Sequence, residues 1–404
     1  MEVVKSNFES ALQLFEDLLP HCQFLAFDLE MTGVRGRPET WADNGELRYA
    51  KLRRVATTFS IIQVGVCLFV PREDEFIAYP FNFYLYPDEN FGPKSIVMET
   101  SGIAFNKQHR MDFNKWIYEG IPYVTEQVDT ELYARYVGKP EAQEERALMV
   151  LTREADKEAV GSVFALIEAW LRSEQEALEI PNFNAFLRKY IIVRVKNEHP
   201  GLFVESVATG ERNRATIVLT KHQSEQRLKE QQDKYYQLLG FRRIFKLLKQ
   251  AHKPVVGHAM ICDLLFLFNA VEGKLPETLA EFKRMVNTAF PQTFDTKHLF
   301  NSLEELQAEF NAQSQYHGLK EIYSFLQTKA ERKLFTLGSG FEKYQEEIYA
   351  HEAGFDALMT GMCLAYMQLL EGDASSQANL LPLFKSFYLL NLAGADLREP
   401  VRCR

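Results

Sequence analysis

The sequence predicts an α/β chain in which a mixed central sheet is flanked by helices and a small α+β domain is inserted. Three observations carry this. Strand-like and helix-like segments alternate from the start of the chain. Near residue 125 the composition shifts to a charged, helix-prone run. Buried-strand and helix patterns then resume at KPVVGH. Length agrees, because 404 residues exceed what one hydrophobic core usually organises.

NFESALQLFEDLL opens the chain with apolar residues at helical spacing. FLAFDLE is an apolar strand bearing two acids. Alternation places residues i and i+2 on one face, so Asp28 and Glu30 project together. GVRGRPETWADNGEL is rich in turn formers and reads as a loop beside them. FSIIQVGVCLFV, apolar on both faces, is expected near the centre of the sheet. The turn PREDE joins it to the next strand, FIAYPFNFYLYP.

The charged run TEQVDTELYARYVGKPEAQEERALMVLTREADKEAV leads out of the sheet. Two helices are expected next, VGSVFALIEAWLRS and FNAFLRKYIIVRVKN, then a hairpin of LFVESVA and RATIVLTK around TGERN. Lys221 to Lys253 carries nine Lys/Arg against three Asp/Glu and reads as a basic connecting helix, with Leu238, Leu239, Phe241, Ile244, Phe245, Leu247 and Leu248 packing inward. KPVVGH is a short buried strand, and MICDLLFLFNAV a helix in which an unpaired Asp263 would be costly. QTFDTKHLF gives a strand and turn. HEAGFD precedes the apolar helix ALMTGMCLAYMQLL, so a loop carries His351 while Asp356 faces the same cleft from the helix start. DASSQANLLPLFKSFYLLNLAGADLREPVRCR begins as a polar linker. The expected divisions are 1–150 and 222–372 for the main domain, 151–221 for the insert and 373–404 for a C-terminal tail.

Four acids and a histidine in three segments suit phosphoryl chemistry. Two divalent ions about 4 Å apart can clamp the attacking and leaving oxygens of an in-line displacement. Hard ions such as Mg²⁺ prefer carboxylate oxygens. A neutral histidine can accept a proton near pH 7. Asp28, Glu30, Asp263 and Asp356 are therefore the expected ligands of two divalent ions, with Mg²⁺ the expected metal and His351 the general base.

With these motifs the sequence resembles the DEDD exonuclease superfamily, in its histidine-bearing branch. More closely, it is similar to the poly(A)-specific ribonuclease family and its small-RNA-trimming relatives. MEVVKSNFESAL, FSIIQVGVCLF, FNFYLYP, DFNKWIYEGIPY, FDTKHL and HEAGFDA carry the likeness in order along nearly the whole chain. It implies an RNase H-like nuclease domain that shortens single-stranded RNA from its 3′ end, releasing 5′-monophosphates, and a homodimer. It also places Met31, Val34, Ile103 and Lys297 around the terminal nucleotides, although packing and surface charge explain those residues equally.

Two departures bear on substrate choice. Relatives often have an aromatic residue where this chain has Met31, and an asparagine where it has Ala259. His258 is expected to be structural, and Asp295 to cap a helix or support the site from behind. In the family the insert binds nucleic acid and is named for an arginine and a histidine with three residues between them. Here Arg194 and His199 are one residue further apart, so the insert is either an RNA contact or a packing or dimerisation module. The basic stretch is either a solvated face or a rail for RNA. Relatives continue beyond the tail into an RNA-recognition motif, which does not follow here.

A net charge of −9 does not describe a general nucleic-acid coat, although clustered active-site acids contribute to it. Cys22, Cys67, Cys262, Cys363 and Cys403 form no C-x-x-C pair, which argues against a zinc site or disulfide framework and suits an intracellular compartment, nucleus or cytoplasm. No signal-peptide pattern and no uninterrupted apolar run of membrane-spanning length is read. Two rivals stand beside the exoribonuclease: a catalytically silent RNA-binding scaffold and a DNA proofreading exonuclease.

Overall fold

The computed structural model describes residues 1–138, 150–180, 183–199, 201–208, 215–221, 225–314, 316–345 and 351–398. The chain divides into two compact units, Met1–Asp129 with Tyr236–Arg404, and Thr130–Tyr235. In chain order, β1 (Glu2–Val3) and α1 (Phe8–Leu18) precede β2 (Phe24–Met31), α2 (Gly45–Thr58), β3 (Ile61–Arg72) and β4 (Glu75–Tyr84). Then come α3 (Thr100–Gln108), α4 (Phe113–Glu119) and α5 (Glu126–Tyr136). The smaller unit holds α6 (Glu154–Leu171), β5 (Ala177–Ile180), α7 (Ala185–Glu198), β6 (Phe203–Ala208) and β7 (Ala215–Thr220), and α8 (Glu225–Leu239) leaves it. The larger unit resumes with α9 (Arg242–Ala251), β8 (Val255–Gly257), α10 (Ile261–Val271), α11 (Leu279–Ala289), β9 (Thr293–Asp295) and α12 (Thr296–Ser302). It closes with α13 (Glu304–Gln313), α14 (Leu319–Ala330), β10 (Phe335–Leu337), α15 (Ala353–Glu371), β11 (Leu380–Pro382), β12 (Tyr388–Asn391) and β13 (Leu397–Arg398).

The main sheet runs β1-β4-β3-β2-β8-β9, with β10 also pairing β4. β3 is antiparallel to β2 and β4, whereas β8 and β9 continue parallel to β2. This is the mixed central sheet flanked by helices expected from the sequence. The pleat divides β2 between two cores. Leu25, Phe27 and Leu29 join α1 and α10 on one face, and Phe24 and Ala26 join α15 on the other. Asp28 and Glu30 continue the α15 face. On α1, Phe8, Ala11, Leu12 and Phe15 form the buried stripe that the helical period requires. α15 is buried at every position from Ala353 to Met367. By length and hydropathy it could cross a membrane, but 78% of that stretch lies inside the fold.

The smaller unit packs α6 and α7 on the antiparallel sheet β5-β7-β6 through Ile167, Trp170, Ile191, Ile217 and Leu219. The sequence reading missed β5 and set the boundaries too narrowly. The rings of Tyr133 and Tyr235 meet edge to face at 5.8 Å, tying the outgoing and returning helices into the same unit. The TGERN turn lies outside the described residues. Arg194 stacks on Phe164 at 4.1 Å and bonds Glu198, while His199 stacks on the same ring and faces Glu168. Both side chains of that pair are therefore engaged inside the unit.

Two other expectations are corrected. The basic connecting helix is broken at Gly240, where φ is +47° and a Cβ would lie 2.0 Å from the Pro122 carbonyl oxygen. In α9 the cations hold internal partners: Arg242 and Lys246 meet Asp129, Arg243 meets Glu9, and Lys249 meets Glu272. This half of the stretch is a set of intramolecular clamps rather than a rail. The tail is not a linker either. Leu381, Leu383, Leu390 and Leu392 enter the main core, and Asn379 accepts from Thr293 N at 3.0 Å and Thr293 Oγ1 at 2.8 Å.

Candidate active site

The cleft forms where α15 meets the sheet. Asp28 lies opposite Gly65, and Glu30 opposite Gln63, in the β2–β3 register. Gly65 is required by close approach, because a Cβ there would sit 1.9 Å from the Ala353 carbonyl oxygen. Two buried amides complete the seat. Gln63 Oε1 accepts from Ala353 N at 3.3 Å, and Asn82 Oδ1 accepts from Gly354 N at 3.1 Å. These bonds satisfy backbone donors that a helix start leaves unpaired, and they fix the first turn carrying Asp356 against Asp28 and Glu30.

His351 stands just outside that turn with φ of +69°. Its backbone N–H donates to Asp356 Oδ1 at 3.2 Å. Its ring packs against His109 and Phe105, with centroids 4.0 Å and 4.8 Å away. Glu352 is held by Lys343 at 2.7 Å and by the Tyr344 hydroxyl. The turn before α10 has its own anchor. The buried carboxylate of Asp295 accepts from the backbone N–H of Ala259 (3.1 Å), Met260 (2.9 Å), Lys297 (3.0 Å) and His298 (3.3 Å). Asp295 thus caps α12 and shapes the loop leading to Asp263. His258 is likewise occupied: its Nδ1 meets Thr296 Oγ1 at 2.9 Å, and burial pulls its pKa down to about 3.

Charge is crowded in this cleft. Burial pushes the Asp28 carboxyl well above the ordinary range, and Asp263, Asp356 and Glu30 push it further. Glu30 is raised by burial and then by Asp356 and Asp263. Asp263 is raised by burial and by Asp295, and Asp356 reaches about 7, chiefly through burial. Burial, then His109 and Lys320, lower His351, which is therefore neutral at pH 7. Ligand atoms of Glu30, His351 and Asp356 lie within 4.8 Å of one another. A convergent set of oxygen donors whose mutual repulsion a cation would relieve fits hard divalent ions.

The other sequence candidates are more dispersed. Met31 follows Glu30 at a register shift in β2, and its carbonyl lies 3.5 Å from Asn106 Nδ2. Val34 is exposed, with its N–H on Glu99 Oε2 at 3.0 Å. Ile103 is half-buried on α3, the helix that also presents Phe105 towards His351. Lys297 donates its ammonium to the His317 carbonyl. Sequence reasoning missed Phe105, His109, Gln63 and Asn82. A polar amide inside each of two apolar strands was the available signal for the last two.

The CAF1 family ribonuclease model matches residues 3–364. Poly(A)-specific ribonuclease PARN of Xenopus laevis is 28% identical, over 98% of this chain and 70% of its own length. The pre-piRNA 3′-exonuclease trimmer of Bombyx mori is 28% identical, and poly(A)-specific ribonuclease PNLDC1 of Mus musculus 26%, each over 90% of this chain and 70% of the relative. On a match reaching from the first strand into α15, and so spanning every segment of the acidic cleft, the chain belongs to the CAF1 family of ribonucleases.

Proposed function

We propose that this chain is a divalent-metal-dependent 3′→5′ exoribonuclease that shortens single-stranded RNA and releases 5′-monophosphates. One observation carries the reading: Asp28, Glu30, Asp263 and Asp356 converge in one cleft with a neutral His351 at its edge. Family membership and the 3′-exonuclease and poly(A)-specific names of the relatives support it.

Asp28, Glu30, Asp263 and Asp356 would hold two divalent ions, Mg²⁺ expected, which when bound supply electrostatic stabilisation of the phosphoryl displacement. His351 takes the proton of the attacking water. Its lowered pKa keeps it unprotonated at neutral pH, and the Phe105 and His109 rings fix its orientation. Gln63, Asn82 and Gly65 keep Asp356 in register with Asp28 and Glu30.

For substrate, the relatives' names divide between poly(A) and pre-piRNA 3′ ends. Met31 and Ala259 favour the sequence-tolerant reading, because neither offers the ring or the amide expected of an adenine reader. A homodimer belongs to the same proposal and is read by light scattering. Hydrolysis of labelled oligo(A), mixed-sequence RNA and matched DNA, with Mg²⁺ and with chelator, tests the reading. Metal-dependent loss of both RNAs with DNA spared supports it. Metal-independent hydrolysis would remove the metal-dependent reading, and RNA binding without hydrolysis would replace it with a silent scaffold.

A further inference from the structure

Outside the acidic cleft, the loop after β2 and the turn before β12 present aromatic rings to solvent. Trp41 is 52% exposed, and its ring lies 5.0 Å from that of Phe387. Phe384 is 70% exposed, with the Lys385 ammonium 5.2 Å above its ring. Beneath them Arg48 is only 1% exposed. Its guanidinium donates to the carbonyls of Thr40 and Lys385 at 2.9 Å and to that of Phe384, and it pairs with Asp43 at 3.2 Å. Lys51 adds bonds to Asp43 at 2.9 Å and to the Pro38 carbonyl at 2.7 Å. A buried guanidinium thus fastens two surface loops, distant in sequence, to each other. Rings left in solvent on so firmly held a mount mark a contact surface.

Charge and position identify the occupant. Arg37 and Lys385 are exposed on these same loops. The acids of the loop are engaged, Asp43 by Arg48 and Lys51, and Glu39 at 3.6 Å from Arg48. A polyanion that also offers flat faces suits such a surface. The loop leaves β2 directly after Glu30 and Met31, and α2, which carries Arg48, accepts at its Ala56 carbonyl from Asn269 Nδ2 (3.0 Å) of α10, the helix bearing Asp263.

We propose that Trp41, Phe384 and Phe387, flanked by Arg37 and Lys385, form a stacking platform for single-stranded RNA nucleotides upstream of the 3′ end held in the cleft. The proposal rests on the exoribonuclease reading for its geometry. Every base has a π-face, so such a platform adds affinity without reading sequence. It would hold the strand through successive rounds of shortening.

Trp41→Ala and Phe384→Ala change exposed side chains. With an RNA of about 12 nucleotides in Mg²⁺, each is expected to raise KM about tenfold, the scale of one lost base–ring stack, and to lower kcat far less. Both should melt within a few degrees of the unmodified chain. Trp116 and Trp170 are buried, so quenching of tryptophan emission by added RNA reports Trp41, and it should vanish in Trp41→Ala. Unchanged KM and unquenched emission, in a chain that still shortens RNA, would overturn the platform and leave this surface to a protein partner. Quenching in a chain that hydrolyses no RNA would instead defeat the exonuclease reading and support the RNA contact.

Discussion

Asp356 is pulled in opposite directions. It stands in the first turn of a long helix, where the backbone favours negative charge, yet burial lifts its pKa to about 7. Together with Asp28, Glu30 and Asp263 it makes a site that a bound cation would complete. Asp28→Ala, Asp263→Ala and Asp356→Ala should each lower turnover by more than about 10²-fold, beyond the usual effect of a change behind the ligands. Single-turnover rates in Mg²⁺ check this, and near-normal hydrolysis by any variant removes that residue from the ligand set. His351→Ala should cost about 10²–10⁴-fold at neutral pH, with partial recovery at higher pH, where hydroxide is more abundant. An unchanged pH–rate profile would return His351 to an ordinary surface role.

The elements that aim these residues were readable from sequence in unequal measure. The D-x-E strand, the apolar helix bearing Asp263 and the HEAGFD turn declare themselves because acids interrupt strongly apolar runs. The clamps of α9 do not. Arg242, Arg243 and Lys249 look like a free basic face until the fold brings Asp129, Glu9 and Glu272 beside them. β5 and the strands of the tail are four residues or fewer, too short for alternation to register. Gly65 is similarly silent in sequence but decisive in space. Gly65→Ala should drive a methyl group into the Ala353 carbonyl, costing about 1–3 kcal/mol and displacing Asp356. The expected result is a lower Tm together with reduced turnover that extra Mg²⁺ does not fully restore. Wild-type stability and rate would show that α15 does not rest on β3 as described.

For the larger unit as a whole, the acid cluster couples stability to pH and metal. Because the carboxyl pKa values are raised on folding, the metal-free folded chain holds protons more tightly than the unfolded chain. Below the ordinary carboxylate range both states are protonated and the cluster costs nothing. As pH rises through that range the unfolded chain ionises first, so stability falls until the folded carboxyls have ionised, about pH 7 for Asp356. Mg²⁺ should therefore raise Tm more near pH 8 than near pH 5, and an equal rise at both would contradict the coupling. The central claim, that this cluster removes nucleotides one at a time from RNA 3′ ends, is tested most directly by one time course. A 5′-labelled single-stranded RNA with a free 3′-hydroxyl is incubated in Mg²⁺ with the unmodified chain and with Asp28→Ala. The account predicts a stepwise ladder shortening from the 3′ end and 5′-monophosphate products, with the variant nearly inert. Internal cuts appearing before terminal shortening, or an equal ladder from Asp28→Ala, would contradict it.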